Sequence, residues 1–181
     1  MGEIAERLNA LTVTVQSPDG CIHATVRGPR EVEVQVGQRA YLTYARHSVG
    51  EFEHQLAALA TLAWTKYQRA VRDIIGGTEP DLYHDPSGEE VVNYNTQLAQ
   101  IEVEATSDDE LVSLRTRGMV HWWVHIDPRL IRQVSSEQFL ASLSGALNQT
   151  VSRFLVQSYA LRDKFFGDGL PDKFQPIRSI R

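Results

Sequence analysis

Cysteine is nearly absent from this chain: there is one, Cys21. A single thiol closes no internal disulfide and defines no metal site. Such sparing use fits a reducing compartment. Basic charge is scarce as well. Lys and Arg number 18 against 23 Asp and Glu, for a net charge of −5. Proteins that grip nucleic acid through its phosphates usually show a basic stripe or a high pI, so this balance disfavours DNA without forbidding a local basic patch. No run approaches the roughly 20 apolar residues of a spanning helix. The opening MGEIAERLNA is acidic and poor in apolar residues, unlike a secretory leader, and Glu6 stands where myristoylation wants Ser or Thr. The expectation is a cytoplasmic protein that does not enter a membrane. The GxSxG, P-loop, HExxH and GxGxxG patterns are missing too. No catalytic residue, cofactor site or metal site is therefore expected, and the chain reads as non-enzymatic.

What the chain does have is a near-repetition. Residues 11–36 read LTVTVQSPDGCIHATVRGPREVEVQV, and residues 101–126 read IEVEATSDDELVSLRTRGMVHWWVHI. Val13, Ser17, Asp19, Arg27, Gly28 and Val34 recur, ninety positions on, as Val103, Ser107, Asp109, Arg117, Gly118 and Val124. Ala70, Arg72 and Asp73 recur at the same spacing as Ala160, Arg162 and Asp163. A repeat of this length is a whole supersecondary unit.

Within the first copy, Ile4 and Leu8 at helical spacing suggest a short leading helix. Leu11, Val13 and Val15 alternate with threonines, the period of a half-buried strand. Ser17-Pro18-Asp19-Gly20 is a turn, with Pro fixing φ and Gly supplying a positive one. Ile22, Ala24 and Val26 predict a second strand and Val32, Val34 and Val36 a third. Together they make an antiparallel meander with one wet face. Ser48, with Glu51 three residues on, predicts a capping box and a long helix to Gly76-Gly77, its apolar stripe running from Phe52 to Ile74.

The second copy repeats the plan. A leading helix falls within 88–100. Strands form around Val103, around Val112 with Leu114, and around Trp122 with Val124. A long helix starts at Ser135 or Ser136 and runs to about Phe166. The loop before that helix must differ in length between copies, because the helix registers differ. The expected fold is α+β: two α-β-β-β-α repeats, with antiparallel meander sheets and long C-terminal helices, packed as an internal pseudo-dimer. The boundaries are 1–77 for the first repeat, 78–87 for a linker, 88–167 for the second repeat and 168–181 for a tail. One such module is too thin to shelter its own apolar side; two packed together could cover each other at roughly 25 cal/mol per Å² of apolar surface.

This order resembles the YbaB/EbfC family. The likeness is carried by LTVTVQSPDGCIHATVRG (11–28) and VEVQV (32–36), and in the second copy by VSLRTRG (112–118) and VHIDPRLI (124–131). The resemblance implies small α-β-β-β-α subunits that dimerise, often as nucleoid-associated DNA binders. It also points to diverged actinobacterial relatives that serve type VII secretion as cytosolic helpers. The helix FEHQLAALATLAWTKYQRA (52–70) looks more like the latter. The chain departs from the usual family member in being duplicated and acidic, with a short first helix. The expected function is that of a cytosolic protein-binding adaptor or chaperone-like protein, a secretion accessory whose partner is a protein client or secretion component. Nucleoid-associated DNA binding is the alternative. Homo-oligomers are compatible with either.

Several residues are candidates for such contacts. His121, Trp123 and His125 fall on one side of a predicted strand, opposite Trp122, Val124 and Ile126. They form either a docking surface, with Trp as an interface anchor and His as a pH-sensitive element, or a sheet face covered by the chain's own helix or the other copy, the commoner arrangement; a metal site, the least favoured reading, would require a third ligand that the local spacing does not supply. Arg27, Arg30, Arg115 and Arg117 are candidates for anion or nucleic-acid contact. Solvated arginines paired with Glu31 or Asp19 are the plainer reading. Asp108-Asp109-Glu110 reads as a polar turn rather than a cation loop. Cys21 is expected to pack inertly in a strand. Trp64 and Tyr67 suit core or inter-copy contacts better than an aromatic-basic patch beside Lys66 and Arg69. In the basic, proline-bearing tail, Phe174 and Ile177 are candidate anchors for a partner.

Overall fold

A computed structural model describes residues 3–28, 31–76 and 89–166. The turn chemistry shows how the repeat is built. Ser17 Oγ donates to Asp19 Oδ1 at 2.7 Å and accepts the N–H of Ile22 at 2.9 Å. Ser107 and Asp109 repeat this at 2.6 Å, with the N–H of Val112 at 3.0 Å. The Asp carboxylate also takes the N–H two residues on, from Cys21 in one copy and Leu111 in the other. These Asx-type bonds fix each hairpin and its register.

The strands follow. In the first copy they are β1 (Thr12–Gln16), β2 (Ile22–Arg27) and β3 (Glu31–Val36). In the second they are β4 (Glu102–Thr106), β5 (Val112–Arg117) and β6 (His121–Ile126). Each trio is an antiparallel meander, ordered β1-β2-β3 and β4-β5-β6. The α+β expectation holds, with the strand alternation as read. The helices are α1 (Glu3–Ala10), α2 (Gln38–His47), α3 (Val49–Gly76), α4 (Glu89–Leu98) and α5 (Ser136–Phe166). Among the described residues, no helix is long and apolar enough to cross a membrane.

The long helices reach beyond their own sheets. Helix α3 lies on β1 and β2 and also along β6; α5 lies on β4 and β5 and also along β3. One buried cluster accordingly draws on both copies, from Val13, Ile22 and Phe52 to Leu114, Ile126 and Phe139. A smaller cluster of Val103, Met119 and Phe154 packs against Trp64 and Trp122. Trp64 meets Phe154 of α5 edge-on at 5.7 Å and stacks on Tyr67 of its own helix at 6.3 Å.

Four features differ from the sequence reading. Helix α2 was not anticipated. Gly37 precedes it without a side-chain cap, and its inward residues Tyr41, Tyr44 and Ala45 span too few turns to show a period. It is held by packing, and by the Tyr41 hydroxyl, which donates to the carbonyls of Ile131 and Val134 at 3.2 and 3.0 Å. Second, the capping box forms only in the second copy. Ser135 Oγ accepts from the Gln138 N–H at 3.2 Å while Gln138 Oε1 takes the Ser135 N–H at 2.9 Å. In the first copy the Ser48 N–H already ends α2 on the Tyr44 carbonyl, and Glu51 accepts from Gln55 instead. Third, Cys21 is exposed. The Asp19 bond to its N–H holds it in the turn, one residue before β2 begins. Fourth, the second loop is shorter, as the differing helix registers required, so Ser48 and Ser135 start the long helices three residues closer than the strand spacing. The recurrence of Ala70, Arg72 and Asp73 therefore does not mark equivalent helix positions. The expected linker (78–87) and tail (168–181) lie wholly outside the described residues.

Candidate docking face

Alternation sends every second strand residue outward, away from the shared core. On the second sheet these residues form three cross-strand rows. Glu102 pairs with Arg117, which pairs with His121. Glu104, Arg115 and Trp123 make the middle row, and Thr106, Ser113 and His125 the last. His121, Trp123 and His125 are all exposed, Trp123 by 45%. Their neighbours Trp122, Val124 and Ile126 face inward. The Trp122 indole N–H is spent on the Met119 carbonyl at 2.9 Å.

The row is shaped by its neighbours. The Arg115 guanidinium carbon lies 4.5 Å from the centre of the Trp123 ring, a cation–π contact that orients both side chains. His125 Nδ1 stands 3.3 Å from Glu53 Oε1. The same oxygen accepts the backbone N–H of Ile126 at 2.8 Å. Glu53 of α3 thus caps the free edge of β6. At the far end of that strand Thr61 Oγ1 donates to the Val120 carbonyl at 2.9 Å. Arg117 is a loose 4.0 Å from Glu102.

The first sheet is its control. Where the second carries Glu102, Glu104, Arg115, His121, Trp123 and His125, the first carries Thr12, Thr14, Thr25, Glu31, Glu33 and Gln35. Only Arg27 matches, as Arg117 does in the second copy. Its guanidinium is spent on Glu33 at 2.9 Å and Glu31 at 3.3 Å. The Glu33 hydrogen bond raises the Arg27 pKa. The inward valines Val13, Val34, Val103 and Val124 persist in both copies while the outward residues diverge. Packing constrains the former, and nothing in the fold requires the latter.

Five of the sequence candidates therefore share one surface: Arg115, Arg117, His121, Trp123 and His125. Arg27 lies on the other sheet. Arg30, Phe174 and Ile177 fall outside the described residues. Asp108, Asp109 and Glu110 form the polar turn. Asp109 Oδ2 accepts from Ser142 Oγ of α5 at 2.5 Å, and Glu110 takes the positive φ of 59° that Gly20 takes at 74°. Among the described residues, no group of three His, Cys, Asp or Glu is placed to hold a metal ion. Sequence reasoning missed the outward residues of α2, namely Arg39, Leu42 and Arg46. No local signal marked them, because the inward residues of α2 span too few turns to show a helical period. No known protein family, curated protein or solved structure matches this chain.

Proposed function

We propose that the chain is a non-enzymatic, cytosolic protein-binding adaptor that engages a client through the outer face of its second sheet. The observation that carries this reading is the half-exposed Trp123 held under Arg115 and flanked by His121 and His125. Trp and Arg are the residues most enriched at interface hot spots. A pre-oriented pair loses less freedom on binding than two free side chains. The confinement of these residues to one copy supports a single client site per chain. Service to a type VII secretion system is the role to which the YbaB-like resemblance points.

The test is affinity capture from the host's own lysate with the full chain and with Trp123→Ala and Arg115→Ala. A protein captured by the wild type and lost from both folded variants supports the reading. Recovery of nucleic acid but no protein counts against it and favours the DNA-binding alternative. Gel-shift binding at two salt concentrations would then show the steep salt dependence of phosphate contacts. Glu102 and Glu104 on the same face, with the net charge of −5, oppose that alternative.

A further inference from the structure

Helix α2 offers a second and separate surface. Its inner residues Tyr41, Tyr44 and Ala45 are buried, which fixes its orientation on the core. Its outer residues Gln38, Arg39, Leu42, Thr43, Arg46 and His47 form an open, solvent-facing surface along the helix. Arg39, Leu42, Thr43 and Arg46 are spaced as one stripe along the helix. Leu42 is 36% exposed at its middle. Neither arginine forms an ion pair among the described residues. In a chain of net charge −5, this surface carries two exposed cations that no described carboxylate neutralises. The second copy has only a turn and a short 3-10 segment, Ile131–Gln133, in its place.

We infer that the outer face of α2 is a docking site for an acidic amphipathic helix of a partner protein. Charge complementarity selects the partner's sign, and the stripe selects its form. Arg39 and Arg46 stand about 10 Å apart along the axis, from a rise of about 1.5 Å per residue over their separation. A partner helix with carboxylates at i and i+7 and Leu or Met between them would place each acid against an arginine and its apolar residue against Leu42. This site does not rest on the Trp123 face. With both occupied, the chain would bridge two proteins.

The experiment is a titration of nitrogen-15-labelled full chain, followed by NMR, with a synthetic alanine-based helical peptide. The peptide carries Glu at i and i+7 and Leu between. A Lys version and a single-stranded oligonucleotide of similar charge serve as competitors. The expected result is saturable shifts centred on residues 38–47. Binding should weaken about tenfold or more in the Arg39→Glu/Arg46→Glu double variant, since each exposed ion pair is worth roughly a few-fold and reversal adds repulsion. It should weaken less in Leu42→Ala and stay unchanged in Trp123→Ala. All of these positions are exposed, and unchanged spectra elsewhere confirm folding. Equal binding of the Lys peptide, indifference to the double reversal, preference for the oligonucleotide, or no saturable shift would each overturn the inference.

Discussion

Phe52 and Phe139, each in the first turn of a long helix, meet in the core with ring centroids 4.9 Å apart and planes inclined at 34°. Both are fully buried. Tyr44 stacks on Phe52 at 4.5 Å and Tyr41 sits 5.6 Å from Phe139, so an aromatic knot joins the copies. Phe52→Ala or Phe139→Ala should destabilise the whole chain by about 3–5 kcal/mol, the usual range for a buried Phe. Urea denaturation of either variant should show a single transition at a lower midpoint. Two separate transitions, with only one moved, would refute a shared core.

Gly28 and Gly118 both take positive φ, at 55° and 61°, but their surroundings differ. A Cβ on Gly118 would lie 2.8 Å from the Ala99 carbonyl oxygen, against 3.4 Å from that of Asn9 for Gly28. Gly28→Ala should lose about 1–2 kcal/mol, the left-handed backbone penalty alone. Gly118→Ala should lose more, because backbone must also move. Conversely, Glu110→Gly should gain about 0.5–1 kcal/mol by relieving its positive φ. Thermal melts of the three variants check the order.

Acid should weaken the two hairpin turns. Burial alone would raise the Asp19 pKa, but hydrogen bonds from the Tyr44 and Ser17 hydroxyls and the Cys21 N–H outweigh it and hold the carboxyl below its ordinary value. Asp109 is likewise opposed by burial and lowered on balance by Ser107, Ser142 and the Leu111 N–H. A carboxylate whose pKa falls on folding adds stability above its unfolded pKa of about 3.9 and loses it as pH drops through the folded value. Ser142→Ala removes one lowering bond, so its acid unfolding should begin at higher pH than the wild type's. Identical acid midpoints by circular dichroism would show the bond contributes nothing.

The outer edges of both sheets are guarded alike. Lys66 of α3 donates to the Thr14 carbonyl at 2.9 Å, and Arg153 of α5 donates to the carbonyl of Glu104. Thr14 and Glu104 are equivalent positions on the edge strands β1 and β4. Long basic side chains at edges deter pairing with another chain. Lys66→Ala with Arg153→Ala should change stability by only about 1 kcal/mol yet raise self-association. Light scattering at rising concentration that matched the wild type would dismiss that role.

Much of this was legible from residue types. Ser17, Asp19, Ser107 and Asp109 announce their turns because the hydrogen bonds they make reach only a few residues. Val13 and Val15 announce a strand because its period is two. The site was partly legible: alternation set Trp123 and its flanking histidines outward from Trp122 and Val124, but not what would lie over them. Helix α2, with its arginine stripe, was invisible because its stability comes from Phe52, Phe139 and a carbonyl of Ile131, far along the chain.

Local chemistry alone specified two copies of a meander followed by a long helix, since turns, caps and alternation act between near neighbours. Tertiary packing decided the rest. It laid α3 along β6 and α5 along β3, filled one core from both copies, and left Trp123 half in solvent, because which apolar faces meet depends on the surface each hides from water, summed over the whole chain.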